Sequence, residues 1–319
     1  MNKIKKVIHL GVLPPPLGGI STYLYRLSRL NKEEKFIDVG KIGRFNLLKI
    51  LIQPNSHFIN HIFSFKRLFF IYMINLLKIN SYSIVLHGEG SRLFYRNSNM
   101  WEKYIMNKIL RKAQSIQVVN EHIRSYLLSI LPGIDDKIHI KCAFLPPPIE
   151  DEENILKTYL NELFIFIKAH EPLIVANAFK LVFLNKIDLY GLDMCINLVA
   201  EMKKRYSNIG LIFALADDGN KDYLNEIKEK MKVLQIEDNI YFMTGQKELW
   251  PLFKKADLMV RPTCTDGDAV SIREALYFKC PVVASDVCIR PEGTVTFQSR
   301  NQEDFYVKVK GNIDGKNDI

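Results

Sequence analysis

The chain is poor in cysteine, and its five cysteines follow no metal-binding or disulfide pattern. Cys142, Cys195, Cys264, Cys280 and Cys288 include no pair at CxxC spacing, and no histidine cluster lies beside them in the sequence. An odd number of cysteines without such spacing argues against a disulfide framework and against a structural zinc site. We therefore expect a reducing, cytoplasmic compartment.

Long apolar runs are also lacking. No window offers about 18 uninterrupted apolar residues, so no transmembrane helix is predicted, and residues 1–6 lack the apolar segment of a signal peptide. The nearest candidate is Ile62–Ile79, in which Lys66, Arg67 and Lys78 interrupt aromatic and aliphatic side chains. We interpret this segment as a helix packed on a sheet. The alternative is a helix face that rests on anionic lipid.

The positive charge is not concentrated in one part of the chain. The formal net charge is +9, with Lys and Arg distributed throughout. A basic balance fits nucleic acid, an anionic membrane surface or a phosphorylated substrate. Nucleic acid is the least supported of the three, because no basic stripe with interleaved aromatic residues occurs.

Short apolar runs alternate with helical patterns along the whole chain, whose 319 residues suggest two domains. Strands are predicted at 6–12, 36–42, 83–86, 115–119, 173–176, 211–215, 240–243, 258–260 and 281–284, and residues 137–144 close the first half of the chain. Helices are predicted at 21–30, 101–112, 121–131, 192–202, 222–233, 247–254 and 271–278. This alternation predicts an α/β fold with parallel sheets, which bind ligands beyond the carboxyl ends of their strands.

A proline-rich segment separates the two halves. Leu145–Glu153 reads LPPPIEDEE, and its three prolines oppose both a helix and a central strand. We place the domain boundary near residue 150. The residues after Lys308 are mostly polar turn formers and predict a loose tail.

The densest functional signal is the segment Arg261–Asp286. A strand ends at Arg261, and a polar loop leads to a helix in which Ser271 and Glu274 form an S-x-x-E capping box. Backbone N–H groups at such a helix N-terminus favour an anion. Gly267 in the loop allows the backbone to approach a ligand closely.

Three carboxylates of this segment can accept hydrogen bonds from sugar or ribose hydroxyls, namely Asp266, Asp268 and Glu274. The alternative is that Ser271 and Glu274 only cap a helix and that the two aspartates belong to a solvated turn.

The same segment resembles the donor-binding signature of the group-1 family of GT-B glycosyltransferases. The likeness consists of Asp266-x7-Glu274, then Ala275, then the strand PVVASD at Pro281–Asp286. The pattern RPT-x-x-DGD-x-x-S-x-REAL resembles a branch associated with bacterial surface polysaccharides such as capsule or O-antigen. This resemblance implies two Rossmann-like domains with parallel sheets facing a central cleft: an acceptor-side domain of residues 1–150 and a nucleotide-sugar-binding domain of residues 151–319.

The resemblance also implies an activity. It is that of a retaining hexosyltransferase that moves a sugar from a nucleotide-sugar, expected to be a UDP-sugar, to a glycan acceptor, expected to be lipid-linked. No metal or other cofactor is expected. By resemblance, Glu274 holds the ribose hydroxyls, and Asp266 with the Gly267–Asp268 backbone holds the transferred sugar. A basic, aromatic acceptor-side half then fits peripheral contact with the inner face of the cell membrane.

Two positions depart from the family pattern. Asp266 stands where the family usually has Glu, and Asp268–Ala269 replace a Phe-Gly pair. Gly191 fits the glycine after the usual diphosphate-binding Lys, but Tyr190 occupies the position of that Lys. Candidates to substitute for it are Lys180, Lys186 and Arg261.

The N-terminal half adds two weaker motifs. Gly18 and Gly19 lie between the first strand and a helix, like the Gly-Gly loop of the family, although such pairs are common in turns. His87 ends a strand where the family often has a histidine near the transferred sugar; Glu89 is a further candidate. The predicted catalytic residues are thus His87, Asp266 and Glu274, and the predicted donor-binding residues are Gly18, Gly19, Gly191, Arg261, Gly267, Asp268 and Ser271.

Two other functions remain open. A catalytically inactive GT-B partner in a polysaccharide-synthesis complex would explain Asp266 and the missing Lys. A nucleotide-sugar epimerase on the same fold would need an acid/base pair, for which only His87 and Glu89 are candidates.

Overall fold

The computed structural model describes residues 6–15, 18–77, 79–88 and 90–317. Contacts within the chain define two compact units, residues Met1–Leu145 and Pro146–Ile319. The division falls at the start of the run of three prolines, whose fixed φ and missing N–H groups prevent regular secondary structure.

Unit 1 contains a parallel sheet with helices between successive strands. Its sheet order is β2-β1-β3-β4-β5-β6 within the described residues. The order reverses between β1 and β3, which makes the carboxyl ends of these two strands the switch point where ligands bind in such sheets. The elements are β1 (Lys6–Gly11), α1 (Gly19–Leu30), β2 (Lys35–Asp38), α2 (Arg44–Leu51), β3 (Ser56–Asn60), α3 (Phe65–Asn75), β4 (Ser81–Leu86), α4 (Gly90–Asn97), α5 (Met100–Lys112), β5 (Ile116–Val118), α6 (Glu121–Ile130) and β6 (Ile138–Ile140).

The predicted helix within Ile62–Ile79 is α3, and it packs on the sheet of unit 1. Leu68 and Ile71 of α3 are buried in the same core as Phe58 and Ile84 of the strands. A helix that crosses a bilayer needs about 18 or more apolar residues, and none of the helices in the described ranges meets that requirement.

Unit 2 contains a second parallel sheet, of order β11-β10-β7-β12-β13-β14 in the described part of the chain, and a small antiparallel pair, β8-β9. Its order reverses between β7 and β12. The elements are α7 (Glu152–Leu156), α8 (Asn161–Ala169), β7 (Leu173–Lys180), β8 (Phe183–Leu184), β9 (Ile187–Asp188), α9 (Leu192–Lys203), β10 (Gly210–Asp217), α10 (Lys221–Val233), β11 (Ile240–Thr244), α11 (Trp250–Phe253), β12 (Leu258–Arg261), α12 (Val270–Tyr277), β13 (Val282–Ser285), β14 (Thr294–Phe297) and α13 (Gln302–Asn317).

Apolar side chains cover both faces of the unit 2 sheet. On β10, Leu211 and Phe213 pack with helices α9 and α10 in one core. Ile212 and Ala214, which alternate with them, pack with α8, α11 and α12 in the other. A central parallel strand buried on both faces is a continuous apolar run, which is why these strands were predictable.

Two local predictions were wrong. The chain after Lys308 is not a loose tail but part of α13, because Phe305, Val309 and Ile313 recur at helical spacing and are buried in the unit 2 core. The S-x-x-E capping box does not form, since α12 begins at Val270 and has Ala269 at its N-cap, which places Ser271 inside the first turn.

Candidate functional site

The carboxyl end of β12, at the switch point of unit 2, carries a buried ion pair. Arg261 Nε donates to Asp266 Oδ2 at 2.8 Å and Arg261 Nη2 donates to Asp266 Oδ1 at 3.2 Å. The Nη1 atom of Arg261 reaches Asn177 Oδ1 on β7 at 3.2 Å. The two strands that flank the switch point are therefore tied together by one guanidinium group.

A second arginine, Arg290, converges on the same carboxylate. Arg290 Nη1 donates to Asp266 Oδ2 at 2.8 Å, and its Nε donates to the carbonyl of Ser285 at 2.8 Å. Ser285 Oγ in turn donates to the carbonyl of Thr263 at 2.6 Å. The Arg290 side chain is only 3% exposed. Sequence reasoning missed Arg290, whose one signal was its place shortly after the strand end at Ser285.

The cluster of Arg261, Asp266 and Arg290 carries one more positive than negative charge. Burial alone would raise the pKa of Asp266, but the charges and hydrogen bonds of the two arginines outweigh it and hold that pKa well below its usual range. Burial would lower the pKa of Arg261, yet Asp266 raises it, so the guanidinium stays charged. A partly buried surplus of positive charge is suited to an anionic ligand.

Tyr190, at the position where the sequence resemblance leads us to expect a Lys, lies against this cluster. The Arg261 guanidinium carbon is 5.5 Å from the centroid of the Tyr190 ring, within the range of a cation–π contact. Of the three candidates for the missing cation, Arg261 is the one that the structure places in the cluster. Lys180 instead pairs with Asp217 at 3.4 Å, and Lys186 is exposed in the β8–β9 turn.

Gly191 lies where no side chain fits. Its φ of 73° is in the left-handed region, and a Cβ at this position would lie 2.3 Å from the carbonyl oxygen of Pro262. The close approach brings the N-terminus of α9 against the loop that follows β12. Asp188 holds this turn by accepting from the N–H groups of Tyr190 and Gly191 at 3.0 and 3.2 Å.

The remaining predicted site residues of unit 2 lie on the loop before α12 and in the first turns of that helix. Asp268 Oδ1 accepts from Arg273 Nε at 2.6 Å, and the N–H of Gly267 donates to Asp266 Oδ1 at 3.1 Å. Ser271 and Glu274 are both buried, Glu274 being 5% exposed. Unit 2 thus brings together Gly191, Arg261, Asp266, Gly267 and Asp268 around the carboxyl end of β12.

In unit 1, the predicted site residues lie near the ends of β1 and β4. Gly18 precedes α1 and accepts from the N–H of Thr22 at 2.9 Å, and Gly19 is the first residue of that helix. His87 follows β4 and is half-buried. Glu89, the further candidate of this unit, lies outside the described residues.

His87 is not a lone histidine. Its Nε2 lies 3.0 Å from Nδ1 of His61, and Nε2 of His61 lies 2.9 Å from Nδ1 of His9. Burial lowers the pKa of His87 to about 4 and lowers the pKa of His61 well below the usual value. In the described ranges, no group of three or more His, Cys, Asp or Glu side chains is arranged to hold a metal ion.

Residues 168–302 match the family model described as Glycosyl transferases group 1. The matched range contains the whole Arg261–Asp266–Arg290 cluster. No curated protein sequence matches the chain significantly.

Solved structures of similar fold cover nearly the whole chain. HepE from Anabaena in complex with UDP superposes with a TM-score of 0.69 at 11% identity, over 98% of this chain and 90% of that one. The structure of HepE with UDP-glucose superposes with a TM-score of 0.67 at 11% identity, over 98% of this chain and 90% of that one. A glycosyltransferase from Rickettsia africae superposes with a TM-score of 0.66 at 13% identity, over 97% of this chain and 88% of that one. With a parallel sheet in each unit, these likenesses show that the chain has the α/β GT-B fold that the sequence predicts.

Proposed function

We propose that the protein is a glycosyltransferase that takes a hexose-type sugar from a nucleotide-sugar, with UDP as the leaving group, and transfers it to a polysaccharide or oligosaccharide acceptor with retention of configuration. The match of residues 168–302 to the group-1 family supports nucleotide-sugar glycosyl transfer. The UDP and UDP-glucose named for the similar HepE structures support the choice of nucleotide.

The observation that carries the proposal is the pair of guanidinium groups held by Asp266. Arg261 and Arg290 bring two planar donor groups to one carboxylate at the switch point of the sheet. Guanidinium groups match the oxygens of a diphosphate better than an ammonium group does. Their charge is held in place before the donor binds, which is the arrangement that stabilises a leaving diphosphate in the transition state.

The arrangement also gives the missing Lys of the family a physical substitute. Tyr190 cannot bind a phosphate as a cation, but its ring lies against Arg261 and limits the positions that the guanidinium group can take. In this proposal Asp266 aligns the two arginines as well as facing the transferred sugar, and Glu274 holds the ribose hydroxyls.

Release of UDP from UDP-glucose with water as acceptor tests the activity directly. Proton NMR of the freed glucose at early times distinguishes retention, which gives the α-anomer first, from inversion. Loss of turnover in Glu274→Ala, together with activity in the wild type, supports the proposal. UDP binding without any release favours an inactive partner protein, and conversion of UDP-glucose into another UDP-sugar favours an epimerase.

An anionic membrane is the proposed location of the acceptor, and the supporting surface is an aromatic and basic face on α3 and α5. Trp101 of α5 lies 6.0 Å, centroid to centroid, from Phe65 of α3, and Met100 and Trp101 are exposed. Lys66 of α3 and Lys108 of α5 are exposed on the same two helices, and Lys108 Nζ lies 4.5 Å from the centroid of the Tyr104 ring. Apolar side chains edged by cations are typical of surfaces that bind anionic lipid.

Sedimentation with phosphatidylglycerol vesicles tests this location. Binding at low salt that weakens at high salt supports a membrane location. The binding should also be reduced in Trp101→Ala but not in Val233→Ala, which changes an exposed residue of unit 2. Absence of binding at low salt would contradict a lipid-linked acceptor at the membrane. The proposed nucleotide-sugar donor would not be affected by that result.

A further inference from the structure

Four polar side chains form one hydrogen-bonded row at the switch point of unit 1. Glu34 Oε2 lies 2.8 Å from Nε2 of His9 on β1, and the row continues through His61, after β3, to His87, after β4. These contacts link residues that are 25, 52 and 26 positions apart in the sequence. The chain therefore folds so as to line up three imidazole rings behind one carboxylate.

The surroundings hold the rings in place. The ring of Phe36 stacks on His9 with centroids 4.4 Å apart, and Tyr23 packs edge-on against His87 at 5.1 Å. Asn31 Nδ2 donates to the same Glu34 oxygen at 2.7 Å. Because two donors converge on that carboxylate, the ionised form of Glu34 is favoured over the neutral acid.

An ionised carboxylate at one end gives the row a direction. Glu34 only accepts, so Nε2 of His9 must carry a proton. A neutral His9 then has a free electron pair on Nδ1, so its hydrogen bond with His61 requires a proton on Nε2 of His61. A neutral His61 in turn accepts at Nδ1, so Nε2 of His87 must carry a proton.

The pKa values agree with neutral rings. Burial lowers the pKa of His9 against the opposing effect of Glu34, lowers that of His61 strongly, and lowers that of His87 to about 4. The pKa of Glu34 is also lowered: burial would raise it, but the hydrogen bonds from Asn31 and His9, with the charge of Lys141, outweigh burial.

We propose that Glu34, His9 and His61 are positioning residues that fix His87 with a proton on Nε2 and a free electron pair on Nδ1, so that His87 accepts a hydrogen bond from a hydroxyl group of the sugar substrate. This proposal rests on the proposed function, which supplies a polyhydroxylated substrate. Among the described residues, the structure gives Nδ1 of His87 no hydrogen-bond partner. Within the described ranges, Nδ1 of His87 is therefore the end of the row that is open to a ligand.

Nitrogen-15 NMR of the seven histidines tests the proposal without requiring activity. Two-bond proton–nitrogen correlations show which ring nitrogen carries the proton, and loss of a signal in His87→Asn assigns His87. The wild type is expected to show Nε2 protonated in His9, His61 and His87 at pH 7. A wild-type His87 protonated on Nδ1 overturns the proposal without any variant.

The isosteric variant Glu34→Gln tests the cause. An amide can donate to His9, so it no longer dictates the direction, and we expect Nδ1-protonated His87 to appear. The matched control is Glu33→Gln, which removes the same charge from an exposed neighbouring side chain and should leave the His87 spectrum unchanged. An unchanged His87 spectrum in a folded Glu34→Gln protein would show that Glu34 does not set the tautomer of His87.

Activity then shows whether the tautomer matters. Loss of one hydrogen bond to a substrate hydroxyl should lower kcat/KM by about tenfold in Glu34→Gln, with UDP affinity unchanged because UDP has no transferred sugar. Equal kcat/KM in Glu34→Gln and wild type, with a changed tautomer, refutes the hydroxyl contact. A protein that never releases UDP contradicts the proposed function instead, and the NMR result then still decides the arrangement of the row.

Discussion

Arg290 and Asp266 lie 24 residues apart in the chain, and the Nη1 atom of Arg290 donates to Asp266 Oδ2 at 2.8 Å. The loop after β13 thereby returns to the loop after β12 and delivers a second guanidinium group to the carboxylate that already binds Arg261. Both guanidinium groups of the candidate diphosphate site are held by this one aspartate. A substitution of Asp266 should therefore have a large effect on the stability of the protein.

Asp266→Asn should lower the free energy of unfolding by about 3 kcal/mol at pH 7, because two largely buried guanidinium groups lose their counter-ion. The pKa of Asp266 is lowered in the folded state. Its stabilising effect is therefore complete above the unfolded-state pKa of about 4 and declines as the pH falls below that value.

Urea unfolding of wild type and Asp266→Asn between pH 7 and pH 3 measures this difference. It should be constant above about pH 5 and shrink towards pH 3. The matched control is Asp238→Asn, which changes an exposed aspartate of the same unit and should have little effect. A difference that does not depend on pH would mean that the charge of Asp266 is not what stabilises the cluster.

Arg290→Lys should weaken the binding of UDP-glucose by about tenfold or more. Lysine retains the charge but lacks the planar guanidinium group, which lets arginine contact Asp266, Ser285 and a ligand at the same time. The loss of one hydrogen bond to a charged group costs about 1.5–3 kcal/mol. Isothermal titration calorimetry gives the dissociation constants. Arg205→Lys, at a 55% exposed arginine side chain, is the control, and equal weakening in both variants would argue against a specific role for Arg290.

Val309→Ala should destabilise the protein by about 2 kcal/mol, because it leaves a cavity in the unit 2 core. Val307→Ala, on the same helix, should change the stability by less than about 0.5 kcal/mol. Val309 is fully buried and Val307 is 55% exposed, so the two variants differ only in the face of α13 that they change. Thermal unfolding that gives equal losses would contradict the placement of α13.

Gly191→Ala should cost about 2 kcal/mol or more, since the added Cβ meets both an unfavourable φ and the Pro262 carbonyl. Gly267→Ala is the comparison in the neighbouring loop, where no atom lies within 4 Å of an added Cβ. Chemical denaturation separates the two variants. A Gly191→Ala protein as stable as wild type would show that α9 and the Pro262 loop are not in close contact.

The architecture was predictable from the sequence where strands are buried on both faces. Leu211–Leu215 and Leu258–Val260 are continuous apolar runs, and both are strands in the structure. β3 was missed because Ser56–Asn60 reads SHFIN, in which buried polar residues interrupt the apolar pattern. Without β3 the sequence offered no reason to bring His61 beside His87, and the histidine row could not be predicted.

The site was predictable only where its residues are neighbours in sequence. The segment from Arg261 to Glu274 is a local motif, so its position at a strand end followed from the strand pattern alone. Arg290 and Asn177 join it through the order of strands in the sheet, which single-sequence patterns do not determine. The buried part of α13 was missed because its apolar residues are sparse among polar turn formers.

Calorimetric titration of the wild-type protein with UDP and with UMP shows whether the site binds a diphosphate, because the two ligands differ only in the second phosphate. If Arg261 and Arg290 hold a diphosphate, UDP should bind at least about tenfold more tightly than UMP, which is about 1.4 kcal/mol. Equal affinities for UDP and UMP, or no binding of either, would contradict a diphosphate site at Arg261 and Arg290.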